Sequence, residues 1–168
     1  MSEQTWIDPK CNRAGWPAGP WDHEPDKVQW TDEATGLVCL AKRHPRSGHW
    51  CGYVGVEPGH QWHGKGYDDP AVDVHFGLTY ADECQKDEKE LGICHIPEPG
   101  KPEHLWWLGF DFAHCNDYSP QDAAYARDHG YPFTIHEGQS YKGLGYVKAQ
   151  CAGLAAQIRS ARSAREPT

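Results

Sequence analysis

Asp111, His114 and Asp117 follow one another at intervals of three residues, starting inside the apolar run Leu105 to Phe112. A carboxylate among Trp106, Trp107, Leu108, Phe110 and Phe112 needs a partner or a ligand, because burying a lone charge is costly. Imidazoles and carboxylates at a strand end are the groups that move protons, fix one another's rings, or read a ligand's hydroxyl and amino groups. A further histidine, His75, stands in Val72-Asp-Val-His-Phe-Gly-Leu-Thr-Tyr80. Read as a strand, that segment puts Val72, Val74, Phe76, Leu78 and Tyr80 on one face, and Asp73, His75, Gly77 and Thr79 on the other. His75 and Thr79 then come beside Asp111 if the two segments are neighbours. The expected proton-transfer set is His75, Asp111 and His114, with Asp117 and Thr79 as ligand contacts.

The remaining contacts are expected from aromatic and basic residues nearby. Tyr80, Trp106 and Trp107 offer rings on which a base can stack. Arg43 and Arg46 belong to the linker Lys42 to His49, the densest basic group of the chain, and His60 and Lys65 lie in the glycine-rich stretch Gly55 to Gly66. Neither Walker nor dinucleotide spacing is present there. A zinc or manganese reading of His75, Asp111, His114 and Asp117 uses legitimate ligands but has no His-Glu-x-x-His or paired Cys-x-x-Cys motif behind it. Cys84, Cys94 and His95 form a second metal alternative, although Cys94 and His95 would point to opposite faces of a strand. No cofactor or metal is expected.

Several elements would position these residues. Trp106 to Phe112 alternates with the period of a strand and reads as the central one. Leu37 to Ala41, Trp50 to Val56 and Leu91 to Ile96 read as further strands. Ser119-Pro-Gln-Asp122 is a helix start, with a capping serine and proline at the first helical position, and Gly130 ends that helix. Tyr141, Leu144, Val147, Cys151, Leu154 and Ile158 recur every three or four residues, predicting a long helix to about Arg162 with one apolar stripe. Residues 1–30 are rich in Pro, Gly and Trp and read as an irregular aromatic arm. Residues 31–162 form the domain, and 163–168 a tail. The fold class is α+β: one compact domain, a mostly antiparallel sheet, and the long C-terminal helix packed on one face.

A chain of 168 residues with 38% hydrophobic and 12% aromatic content can bury a core. A formal net charge of -8 argues against coating a nucleic acid polymer, though a pocket can oppose the sign of the whole molecule. There is no apolar run of the roughly 18–20 residues that cross a bilayer and no leader pattern, so the expectation is a cytoplasmic protein without a membrane partner. Seven cysteines without close, even spacing read as free thiols. The aromatic arm and the small two-layer domain leave apolar surface, which favours a homo-oligomer, most simply a dimer.

The combination Gly52-Tyr-Val-Gly-Val56, Gly59-His60, Gly64-Lys65, Val74-His75, Gly77-Leu-Thr-Tyr80, Ile93-Cys-His95, Trp106-Trp107, Gly109-Phe-Asp111, Ala113-His114, Asp117, Ser119-Pro120 and Tyr146-Val147 resembles a family of small uncharacterised bacteriophage and prophage proteins. The resemblance spans roughly residues 37 to 158. The family pattern has His-Gly-Gly at His75-Phe76-Gly77, Cys at Phe112 and Glu at Gln150, which makes Phe112 and Gln150 poor choices for essential chemistry. A phage origin implies action in the host cytoplasm and raises counter-defence as a function. The expected protein sequesters a small nucleotide-derived immune signal. The alternatives are a small hydrolase of a cyclic or ADP-ribose-like nucleotide, and a structural phage component.

Overall fold

The computed structural model describes residues 3–88, 90–131 and 139–163. Six strands form one sheet: β1 (Gln4–Trp6), β2 (Lys27–Thr31), β3 (Val38–Arg43), β4 (Trp50–Val56), β5 (Tyr80–Glu83) and β6 (Trp106–Asp111). Their spatial order is β1-β2-β3-β4-β6-β5, and every neighbouring pair is antiparallel. A two-stranded parallel ribbon joins β7 (Asp117–Tyr118) to β8 (Ser140–Tyr141). The helices are α1 (Pro120–Asp128) and α2 (Leu144–Ser163). The expected α+β class, with the long C-terminal helix on one face of the sheet, is what the chain forms.

α2 lies on the sheet through Val147, Cys151, Leu154 and Ile158, each at most 1% exposed, against Val54, Val56, Leu108 and Phe110. This is the predicted stripe. Close approach depends on glycine at the centre: a Cβ on Gly52 would stand 2.4 Å from the Phe110 ring and 3.1 Å from the Cys151 sulfur. The opposite face buries Leu40, Tyr53, Ile93, Leu105 and Trp107 under the loop that precedes β6.

Three local expectations are corrected. Residues 1–30 are not irregular throughout, since β1 and β2 extend the sheet, and Trp16 and Trp21 pack against Ala123 of α1. Lys27–Thr31 alternates Val28 and Trp30 with Lys27, Gln29 and Thr31, a strand period too short to stand out among the surrounding prolines, and a full ladder to β3 holds it. Val72 to Tyr80 is not one strand: pairing begins at Tyr80. Phe76 and Gly77 both have positive φ, 54° and 83°, and the Gly77 N–H closes a turn onto the Val74 carbonyl at 2.8 Å. That turn breaks the alternation and sends Phe76 outward, 57% exposed. Leu91 to Ile96 also lacks strand pairing, although Ile93, Cys94 and His95 are buried.

The extended residues before that turn are held by α2 instead of by a neighbouring strand. Gln157 accepts from the Asp73 N–H at 2.7 Å and donates to the Asp73 carbonyl at 2.8 Å, and Gln150 accepts from the His75 N–H at 3.0 Å. Amide side chains reproduce part of a sheet ladder, satisfying backbone groups that would otherwise lack partners. At the other end of α2, Glu24 accepts from the Leu144 N–H at 2.6 Å, placing a carboxylate where the helix dipole favours one. Cys84 and Cys94 are joined as a disulfide, so the free-thiol expectation fails for this pair and the metal alternative with His95 loses both its sulfurs. Cys11, Cys39, Cys51, Cys115 and Cys151 are free.

Candidate functional site

The C-terminal end of β6 and the turn after it bring His75, Asp111, His114 and Asp117 into one network. Asp117 opens β7 just before the α1 cap, where Ser119 accepts from the Asp122 N–H and Asp122 reaches back to the Ser119 N–H. This capping box fixes the exit of the turn. Asp117 then accepts from the His114 N–H at 3.1 Å and contacts His75 Nε2 through both oxygens, at 2.9 and 3.0 Å. Lys142, just after β8, lies 3.2 Å from the other side of the same carboxylate.

His75 is held at both ring nitrogens. A carboxylate can only accept, so Nε2 carries the proton shared with Asp117 and, in the neutral ring, Nδ1 is the acceptor. The Tyr146 hydroxyl stands 3.2 Å from Nδ1 and is the group that donates to it. The result is a carboxylate, imidazole and phenol in series: Asp117, His75, Tyr146. Phe112 lies against the His75 ring at 4.7 Å between centroids, screening it from one side. The tyrosine is 40% exposed, so its hydroxyl is the end of the series that a ligand can reach.

A second pair adjoins the first. His114 Nε2 is 3.2 Å from Asp111 Oδ1, an ion-pair distance, yet that buried nitrogen has no hydrogen-bond partner among the described residues. Asp111 is fixed by the Thr79 hydroxyl, which donates at 2.9 Å, and by the Ala113 N–H at 3.1 Å. The Phe76 ring stacks on His114, with centroids 4.3 Å apart and planes 12° apart, and the two histidine rings are 5.9 Å apart.

Burial by itself would raise the Asp117 carboxyl, but the hydrogen bonds from the His75 ring, the His114 N–H and Lys142, with the charge of His75, outweigh it and hold the group below the usual carboxylate range. His49, just before β4, is pushed down to about 4 by burial first and by His44 second, against the opposing pull of Asp111, Asp117 and Asp122. A cleft of about 320 Å³ is lined by His49, His114, Cys115, Asp117 and Ser47. A second, of about 380 Å³, is lined by His75, Phe76 and Gln150.

Thus His75, Thr79, Asp111, His114 and Asp117 meet, and the other expected contacts do not. Arg43 is fully buried: it stacks on Trp50 at 4.4 Å, pairs with Asp26 at 3.3 Å and Glu24 at 3.4 Å, and donates to the Gly48 carbonyl and the Tyr141 hydroxyl. Two carboxylates within one domain consume its charge. Arg46 is exposed in the β3–β4 hairpin, beside Lys10 and His44. His60 accepts the Trp62 N–H at Nδ1, so its Nε2–H donates to the Ile158 carbonyl at 2.8 Å and ties the loop to α2. Lys65 receives the Trp106 indole N–H on its carbonyl. Trp106 and Asp111 occupy opposite ends of β6, about 17 Å apart at strand rise. Tyr80 meets Tyr53 edge-on, and Trp107 is buried beside His95, both in the second core. The aromatic surroundings of the site are therefore Phe76, Phe112 and Tyr146.

Sequence reasoning missed Tyr146, Lys142 and His49 as site residues. Tyr146 carried a faint signal, an aromatic in the first helical turn just outside the apolar stripe; Lys142 and His49 carried none. The four residues of the metal alternative are engaged in pairs, His75 with Asp117 and His114 with Asp111, and among the described residues no group of three or more His, Cys, Asp or Glu side chains could hold a metal ion. No helix of the described residues is long and apolar enough to cross a membrane. No family model matches the chain, and neither does any curated protein or solved structure.

Proposed function

We propose that this protein is a small hydrolase acting on a nucleotide-like ligand, with Tyr146 as the group that handles the proton. The observation that supports the reading is the series Asp117, His75, Tyr146, whose tyrosine end is exposed. A hydroxyl that donates to an imidazole, itself oriented by a carboxylate, is arranged to lose its proton to the ring while the carboxylate stabilises the imidazolium. Tyr146 takes a proton from water as its own passes to His75. His114, positioned by Asp111 and Phe76, protonates the leaving oxygen. Lys142, 5.9 Å from the centre of the Tyr146 ring, offers the positive charge that a phenolate or a phosphate oxygen needs.

Incubation with cyclic mononucleotides, cyclic dinucleotides and ADP-ribose-like nucleotides, followed by chromatography and mass spectrometry, tests the reading. Turnover of one of them is expected, with Tyr146→Phe lowering it about 100-fold to 10,000-fold, the usual worth of a positioned acid or base. Recovery of every nucleotide unchanged, or a Tyr146→Phe variant as active as the parent, overturns it. A second reading, capture without turnover, is favoured by the exposed Phe76 ring stacked on His114, a ready platform for a base. Intact nucleotide released on denaturation is its signature. The phage resemblance would make that nucleotide an immune signal of the host.

A further inference from the structure

The β3–β4 hairpin holds a cluster that the series at His75 does not use. Ser47 Oγ lies 2.8 Å from His44 Nδ1 and 2.7 Å from His49 Nδ1, and the two imidazoles stack with centroids 5.0 Å apart. One hydroxyl proton cannot serve two acceptors. The Ser47 N–H also points at His44 Nδ1, at 3.3 Å, which marks that nitrogen as the unprotonated one. The arrangement that leaves no lone pairs opposed runs from His49 Nδ1–H to Ser47 Oγ, and from Ser47 Oγ–H to His44 Nδ1.

The loop that carries this relay is anchored. The His44 N–H bonds the His49 carbonyl, the Gly48 N–H bonds the His44 carbonyl, and the Gln121 N–H of α1 bonds the Ser47 carbonyl at 3.0 Å. A Cβ on Gly48, at φ 82°, would strike Pro120 at 2.6 Å, so the hairpin seats directly on the start of α1. Ser47 and His49 thereby line the 320 Å³ cleft opposite His114 and Cys115. Burial, then the charges of Lys42 and Arg46, depress the His44 imidazole.

We propose that Ser47 is a nucleophile, with His44 as its base and His49 as the donor that orients its oxygen, and that the cleft takes small uncharged carboxylic esters. The cleft is also lined by Asp117 and Asp122, and a neutral carbonyl beside Ser47 meets no charge repulsion from them. In the reaction Ser47 Oγ forms a bond to the carbonyl carbon while its proton passes to His44 Nδ1. The bond from that carbon to the alkoxy oxygen then breaks, and the leaving oxygen takes the proton from His44. Water, deprotonated by the same imidazole, releases the acid and restores the serine.

4-Nitrophenyl acetate is the probe. The expected result is a rapid release of nitrophenolate with acetyl found on the peptide that carries Ser47 in the unsubstituted protein. Ser47→Ala abolishes that phase, and His44→Gln slows it at least about tenfold, within the range for a positioned base, while circular dichroism confirms folding. Acetyl confined to Cys115, lysines or tyrosines, no acetylation, or a Ser47→Ala protein that reacts at the parent rate overturns the proposal. The mapping needs no variant, so a misfolded substitution cannot obscure it.

Discussion

Asp117 is the residue on which most of the site depends, because its two oxygens meet His75, Lys142 and the His114 N–H at once. Its folded pKa lies below the unfolded value, so its contribution is present above about pH 3.9 and is lost as pH falls through the folded value. His49 acts in the same direction at higher pH. Its neutral ring is favoured on folding, so stability declines as pH falls from about 6.5 to about 4, by no more than about 3 kcal/mol. Urea unfolding across that range should therefore show two acid limbs. His49→Gln should flatten the upper limb, whereas Asp117→Asn should flatten the lower and cost about 1–3 kcal/mol at pH 7. Phe76 poses a different balance. A bulky residue at φ 54° stores about 1–2 kcal/mol of strain, and its ring is mostly in solvent. Phe76→Asn, which suits that backbone, should leave the melting temperature level or raised. Nucleotide binding, measured by calorimetry, should weaken by the 1–3 kcal/mol typical of a lost base stack; unchanged affinity would remove Phe76 from the site.

Among the elements, α2 connects the core to the chemistry. One face supplies Val147, Cys151, Leu154 and Ile158 to the sheet, while Tyr146, Gln150 and Gln157 grip the segment that carries His75. Gln150 acts on this segment through the backbone N–H of His75 that it holds. The start of α2 depends on Glu24, which also receives the Tyr141 hydroxyl at 2.5 Å and pairs with the buried Arg43. Glu24→Ala removes a helix cap and one of two counter-charges together. The loss should reach about 2–4 kcal/mol in chemical denaturation. A change under about 0.5 kcal/mol would mean that Asp26 alone suffices for Arg43 and that the helix start needs no carboxylate.

For the whole molecule, the disulfide and the arm alter the picture drawn from composition. Cys84 and Cys94 are ten positions apart, and closing so short a loop is worth about 2.7 kcal/mol in the chain-entropy account. Thermal unfolding with and without dithiothreitol should show a drop of several degrees on reduction; identical curves would mean that the surrounding contacts hold the loop without the bond. The bond also ties stability to the redox state of the compartment, since thiols in a reducing cytoplasm stay apart. The arm's Trp16 and Trp21 are buried within one chain, so the apolar surface that motivated a dimer is smaller than composition suggests. A homodimer stays a proposal, resting on exposed Ile7, Tyr125 and Tyr131. Light scattering at micromolar concentration should give twice the chain mass, and a monomer mass would retire it.

The sequence by itself determined what local periodicity and local capping can determine. The strand at Trp106–Asp111, the strand at Trp50–Val56, the capped start of α1 and the buried stripe of α2 all follow from side chains within a few residues of one another. The cluster of His75 with Asp111, His114 and Asp117 was legible too, because isolated polar groups in apolar segments need partners. Only the tertiary structure decided which partner each would take. His75 is 42 positions from Asp117 and 71 from Tyr146, and it reaches both because a positive-φ turn replaces the expected strand and α2 packs beside it. Arg43 reads as a loop cation until Glu24 and Asp26 arrive from the segment just before β2, which the ladder between β2 and β3 brings alongside it. Pairings of that kind depend on which surfaces the folded core leaves in contact, and no short-range pattern encodes them.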